Sequence, residues 1–341
     1  MKLAVGYPVL PEDGDRPFPE IVERHRERIA EVYFAWPGEP SGRSPHGLSA
    51  AGVDPEAREL LQHDLRAIRA LGLRLDLLLN ANCYGPAAAS PELARHVTSL
   101  VERAALSVAV DVVTTTSPFI AAVIKQQFPH ITTRASVNMR VGTVQGMKYL
   151  ADVFDSFYLQ RDYNRDLVRI AQLREWADLN GKELCILVNS GCLGFCPGQT
   201  FHDNLVAHEA EITSGSDPRA VLVCRRVLAD RRNWTALLHA TWVRPEDLWH
   251  YERFFSLAKV ATRMHSRPAR VVAAYAAGDF AGNLLDLLEP GYGSALGGSV
   301  LDNTRFPANW HDTITTCTRN CEACSYCTET LERVLTPVEG C

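Results

Sequence analysis

Eight short apolar runs, each separated from the next by a stretch that could hold a helix or a long connection, constrain this chain more than any single motif. They are Leu3 to Tyr7, Glu31 to Trp36, Arg74 to Leu79, Val108 to Thr114, Ile131 to Val137, Ser156 to Leu159, Leu184 to Val188 and Leu257 to Thr262. Between and after them, Pro55 to Leu71, Pro91 to Leu106, Pro118 to Gln127, Val144 to Phe154, Arg165 to Asn180, Arg244 to Phe255 and Arg267 to Phe280 read as helices, several opened by proline or a capping residue. Strand and helix in alternation make a parallel α/β sheet, and eight units point to a closed barrel rather than an open doubly wound sheet. No GxGxxG follows the first run, so nothing favours a dinucleotide fold. The sequence predicts a (β/α)8 TIM-like barrel over residues 1–283. A cysteine-rich extension, residues 284–341, is expected to pack on the barrel mouth. The Pro-, Gly- and Ser-rich stretch from Trp36 to Val53 is expected to be a lid or surface insertion there.

A chain of 341 residues, 46% hydrophobic, buries a full core without covalent staples. Its net charge of -5 argues against a broad nucleic-acid-binding surface, with Arg225-Arg226 and Arg231-Arg232 as the one place for a local basic patch. Met1 to Pro8 runs into a charged, proline-rich segment without a signal-peptide core, and no apolar stretch approaches the roughly 20 residues of a membrane helix. The expectation is a cytoplasmic protein with no membrane insertion.

In a reducing compartment, ten cysteines mean metal or catalysis before disulfides. Four of them, Cys317, Cys321, Cys324 and Cys327, fall within eleven residues, and Cys192 and Cys196 form a second group closed by Pro197. Thiolates at such spacing can bend round one soft centre. Zinc in a structural site is the alternative, but zinc knuckles usually come as separated Cys-x-x-Cys pairs, and a compact run of four resembles a ferredoxin-type arrangement. Cys317 to Cys324 also has the spacing of the radical S-adenosylmethionine triplet, with too little chain after it to build that enzyme. Cys192 and Cys196 follow the seventh strand, and Cys83 follows the third, so all three are expected at the carboxyl-end mouth where barrel enzymes place their chemistry. Cys185, Cys224 and Cys341 read as structural or incidental.

Other polar groups fall at strand ends. His202 and His208 follow the second cysteine group as acid-base candidates, and Arg263 ends the last strand. Asn80, Asn138, Arg140, Arg161 and Asn189 are candidate substrate ligands, as is Lys259, which lies inside an otherwise apolar strand and is expected to point into the barrel.

With these residues in order, the chain resembles the collagenase-like peptidase family U32. The resemblance rests on Asp111 to Pro118, on Phe128-Pro129 with Arg134 to Asn138, and on Asn189-Ser190-Gly191-Cys192 to Pro197 with His202, Asn204 and His208. It rests also on Ala258 to Met264 and on the Cys-x3-Cys-x2-Cys-x2-Cys tail. It implies a 4Fe-4S protein, one cluster or two, of the kind linked to oxygen-independent hydroxylation of RNA bases or a quinone precursor with prephenate as oxygen donor. It matches Cys192 and Cys196 to the family's mouth cysteines and Arg263 to its last-strand arginine. Two positions depart from the fuller motif: Ala261-Thr262 stand before that arginine in place of acid and glycine, and Asn189-Ser190 replace histidine-glycine. The expected function is an iron-sulfur enzyme acting by hydroxylation or a related redox step on a small molecule or nucleobase. The alternatives are a non-catalytic iron-sulfur scaffold serving a redox partner or partner subunit, and a peptidase, for which the sequence offers no Ser-His-Asp set and no His-Glu-x-x-His helix.

Overall fold

The computed structural model of the chain describes residues 1–8, 16–42, 48–49, 52–208 and 222–337. The eight apolar runs become β1 (Lys2–Gly6), β2 (Ile29–Ala35), β3 (Arg74–Leu79), β4 (Val112–Thr115), β5 (Thr132–Ala135), β6 (Ser156–Tyr158), β7 (Glu183–Leu187) and β8 (Leu257–Val260). Each pairs in parallel with its neighbour in sequence. β8 closes on β1 with Lys2 opposite Leu257 and Val5 opposite Val260. Parallel strands covered on both faces need near-continuous apolar sequence, which is why the runs were readable.

Among the described residues, nine α-helices alternate with or interrupt these strands: α1 (Phe18–Arg24), α2 (Pro55–Ala70), α3 (Pro91–Val108), α4 (Pro118–Gln127), α5 (Val144–Lys148), α6 (Leu167–Leu179), α7 (Gln199–Ala207), α8 (Val223–Leu228) and α9 (Pro268–Ala277). Asp54, Ser90 and Ser117 cap α2, α3 and α4 by accepting from the N–H of Glu56, Leu93 and Ile120, each cap followed by proline. Each such cap contributes about 1 kcal/mol. Two expected helices are shorter or tighter than the sequence suggested. α5 ends at Lys148 and gives way to turns, and Arg244 to Phe255 forms a 3-10 helix over Pro245–Tyr251. There Arg244 Nε meets Asp247 at 2.9 Å, an (i, i+3) pair that suits three residues per turn.

The barrel axis is not purely apolar. Ala4, Tyr33, Leu78, Tyr158, Cys185 and Leu257 fill part of it. Beside them the buried Arg134 guanidinium holds Glu31 at 2.5 and 3.2 Å and Glu183 at 3.1 Å, with Asp76 at 3.5 Å. Lys259 points inward as expected, its Nζ 3.8 Å from the centre of the Tyr33 ring.

After α9 the chain builds a second layer of structure, with α10 (Trp310–Thr316), α11 (Tyr326–Val334) and an antiparallel pair, β9 (Ser299–Leu301) and β10 (Leu335–Pro337). Trp310 is wholly buried. Its ring stacks 5.8 Å from Trp242 and 6.1 Å from Tyr326, with Phe306 edge-on at 5.0 Å. The extension therefore has an aromatic core of its own, seated on the β7–β8 connection. Among the described residues, no helix is long and apolar enough to cross a membrane. Cys341 and parts of the expected lid, residues 43–47 and 50–51, lie outside the described residues.

Candidate functional site

The loop leaving β7 is held on two sides. Asn189 donates through Nδ2 to the carbonyls of Ala261, at 2.8 Å, and Leu287, at 2.9 Å, while its Oδ1 accepts from the Ala261 N–H at 2.6 Å. Its amide is thus occupied as a clamp joining β7, β8 and the extension, not turned to a ligand as the sequence suggested. Next, Gly191 N–H donates to Glu289 O and Glu289 N–H to Asn189 O, both at 3.0 Å. A Cβ on Gly191 would stand 2.1 Å from the Pro290 carbonyl oxygen, so only glycine fits this seam.

Beyond the seam, the loop turns on Phe195, whose positive φ of 51° is held by its N–H donating to Asp162 Oδ1 at 2.6 Å. Its ring meets Tyr163 edge-on at 5.9 Å. This turn places Cys192 and Cys196 on the wall of a cavity of about 910 Å³. Arg161, Gln199, His202, Glu289 and Tyr292 share that wall, and so does Cys224 from α8. Sequence reading had set Cys224 aside as incidental; the structure brings it to the same cavity as the other two thiols. Burial pushes the Cys196 thiol up, its Cys192 and Cys224 neighbours push the same way, and the backbone N–H of Gly198 and Arg161 pull it back. Burial and these thiols likewise raise the Tyr292 phenol.

The remaining residues divide clearly. Arg263 is buried and donates to Ser41 Oγ at 3.0 Å, and Asn80 Oδ1 accepts from the Gly42 N–H at 2.9 Å, so both hold the start of the expected lid against the mouth. Asn138 lies against the same glycine. Arg140 holds α7 through Thr200 at 2.8 Å and Asp203 at 3.1 Å. His208 caps the end of α7 and does not line the cavity. Lys259 sits inside the barrel, where burial lowers its ammonium to about 8 despite the nearby Asp76, and Arg263 and Arg134 push it the same way. Cys83, half-buried, accepts from the Gly85 N–H at 3.4 Å. It follows β3, four strands round the barrel from β7, and does not join the cavity thiols. A smaller cavity of about 390 Å³ beside Trp36, Arg58 and Arg103 contains no thiol.

The tail cysteines form a separate group. Cys317, Cys321 and Cys324 are exposed and Cys327 is half-buried, its thiol raised to about 11 by burial while Arg165 pulls it back. Arg165 is itself half-buried, with its guanidinium 4.9 Å over Trp242 and donating to Leu238 O at 2.6 Å. Arg319, in the tail loop, lies over the Phe195 ring at 5.5 Å, so the two cysteine loops are neighbours. None of the nine described cysteines is in a disulfide. Among the described residues, the group with three ligand atoms mutually within 4.8 Å is His250, His311 and Asp312, and it includes no cysteine. A tetrahedral zinc with Zn–S bonds of about 2.3 Å needs thiolates about 3.8 Å apart, tighter than any cysteine trio here. Thiolates are also the ligands of iron-sulfur clusters, and the cavity trio and the tail quartet are all-thiol donor sets.

No family profile matches the sequence. It is 23% identical over 270 residues to the uncharacterized protease MJ1657 of Methanocaldococcus jannaschii, covering 77% of each chain. Among solved structures, that of the U32 peptidase Mk0906 superposes with a TM-score of 0.54 at 16% identity, over 76% of this chain and 92% of the other. That superposition shows a shared barrel fold.

Proposed function

We propose that this chain, a relative of the U32 peptidases, is an iron-sulfur barrel enzyme carrying out hydroxylation or a related redox modification of a small molecule or nucleobase. The observation that carries the reading is the convergence of Cys192, Cys196 and Cys224 on one deep, mixed polar and apolar cavity at the barrel mouth. Those thiolates would hold a 4Fe-4S cluster there, and Cys317, Cys321, Cys324 and Cys327 would hold a second. A bound cluster supplies one-electron redox chemistry. The chain's own residues do the rest: the Asn189 clamp and the Gly191 seam fix the cysteine loop, Arg263 and Asn80 hold the lid segment at the mouth, and His202 offers a proton donor or acceptor inside the cavity. The cavity, about 910 Å³, is large enough for a drug-sized ligand.

Anaerobic purification with iron and sulfide analysis tests the proposal. Brown protein, bleached by dithionite, with iron lost in stages from Cys192→Ser, Cys196→Ser and Cys224→Ser on one hand and from Ser variants of the tail quartet on the other, supports two centres. Colourless protein that retains zinc sinks it. The peptidase reading is favoured by one observation, that thiols and His202 line the same cavity. Hydrolysis of a fluorogenic peptide by iron-free protein, abolished by Cys196→Ser and by thiol alkylation, would establish it instead.

A further inference from the structure

The barrel and the extension meet at a stack of rings that titrate. His250, in the 3-10 helix Pro245–Tyr251 of the β7–β8 connection, lies face to face with His311 of α10, their centres 3.6 Å apart and their planes 4° from parallel. Trp249 stacks on the other face of His250 at 3.7 Å, and Tyr251 meets His311 edge-on at 5.7 Å. His311 is only 6% exposed. Among the described residues its Nε2 is sealed without a hydrogen-bond partner, and its Nδ1 is 3.4 Å from Oδ1 of the exposed Asp312. His250, His311 and Asp312 bring three ligand atoms close together, but the rings as they stand do not make an ion site. An imidazole lone pair lies in the ring plane, and two parallel planes 3.6 Å apart share no point about 2.1 Å from both nitrogens.

The same contact limits charge. Two imidazolium rings in face contact repel, with no room for water between them. One proton on the pair is tolerated, because Asp312 stands beside His311 and the Trp249 face accepts a cation. A second has no counter-charge: Asp247, the other carboxylate that acts on His250, is held by Arg244 at 2.9 Å, and Arg253 adds positive charge. Burial and His311 lower the His250 imidazole, Asp247 and Asp312 oppose them, and Arg253 pushes it further down. A lowered imidazole is favoured neutral in the fold, so its contribution is fully present above about pH 6.5 and is lost as pH falls below that value. We propose that the His250–His311 stack is an acid-sensitive clasp, which holds α10 on the β7–β8 connection while it carries at most one proton and opens when both rings are charged. α10 ends at Cys317, so the opening reaches the cysteine loop. The clasp stands whether or not those thiols hold a metal.

Hydrogen exchange of the full chain, read by mass spectrometry at about pH 7.5 and about pH 5 with a chelator present and intrinsic exchange rates divided out, tests it. Protection of α10 relative to β3 should fall about tenfold on acidification, the population change that follows from displacing one imidazole pKa by about one pH unit. The ratio to β3 removes any loss of stability that the whole chain shares. His250→Phe keeps a stacking ring that cannot charge, and its ratio should stay constant. A ratio in the parent protein that does not move with pH overturns the proposal, and so does a His250→Phe protein whose ratio still falls. Zinc, added without chelator, that raises α10 protection in the parent and not in His250→Phe also overturns it, since the rings would then turn to receive an ion. Should His250→Phe fail to fold, His250→Gln decides the matter: its α10 protection should be lower than the parent's at about pH 7.5 and independent of pH.

Discussion

Replacing Gly191 by alanine tests whether the cavity wall depends on the seam between the cysteine loop and the extension. The added methyl would sit 2.1 Å from the Pro290 oxygen, a backbone atom, when real Cβ contacts essentially never fall below 3.0 Å. One strand of the seam must therefore retreat by roughly an ångström. That retreat strains or breaks both Gly191 N–H to Glu289 O and Glu289 N–H to Asn189 O. Each of these hydrogen bonds is worth about 0.5–1.5 kcal/mol net. Overpacking adds about 1–3 kcal/mol. The expected loss is about 2–6 kcal/mol, a fall in Tm of roughly 5 °C or more. Gly293→Ala is the matched control, since Gly293 lines the same cavity and a Cβ there meets nothing within 4 Å. Thermal unfolding followed by circular dichroism separates the two. If Gly191→Ala melts within about a degree of Gly293→Ala, the tight seam is not what holds the cysteine loop.

Asp76 supplies a pH test: burial and the neighbouring Glu31 raise its carboxyl to about 6, against the pull of Arg134, Lys259 and Thr114. Its neutral form is favoured in the fold, so its contribution is fully present below about pH 4 and is lost as pH rises to about 6, on the order of 2–3 kcal/mol. Asp76→Asn should flatten urea-unfolding stability over that window, and an unchanged slope would refute the assignment. Arg134→Met leaves Glu31 and Asp76 buried without their cation and should cost about 3–5 kcal/mol at pH 7 but less at pH 5, where Asp76 can take up a proton. Trp310→Ala removes a wholly buried ring from the extension and should cost about 3–5 kcal/mol, with limited proteolysis then cutting the extension before the barrel; a protease pattern like that of the parent protein would contradict the aromatic core.

The barrel was legible because its strands are buried on both faces and must be apolar along their length, so each left a run in the sequence. The extension was not, because its aromatic core forms only when Trp242, from the β7–β8 connection, meets Phe306, Trp310 and Tyr326. Cys192 and Cys196 could be placed by their position after a strand. Cys224 could not, since it arrives on the short helix α8, and only its membership of the same β7–β8 connection hinted at it. Asn189 shows the opposite failure: its place at a strand end was read correctly, but three hydrogen bonds make it a brace. A polar residue at a barrel mouth is a ligand candidate only after its backbone obligations are counted.

The stacking of Trp310 on Tyr326 has a further consequence for the tail thiols. These two rings belong to the helices on either side of the cysteine loop, so the loop's ends are already gathered before anything binds between them. In a free chain, closing a loop is opposed by lost configurational freedom, (3/2)RT ln n and a constant. Here the aromatic core has absorbed that loss on folding. A metal centre held by the quartet, as proposed above, would accordingly come and go without the fold collapsing around it, as a plug-in module whose occupancy is set by metal supply and oxidant rather than by the stability of the barrel.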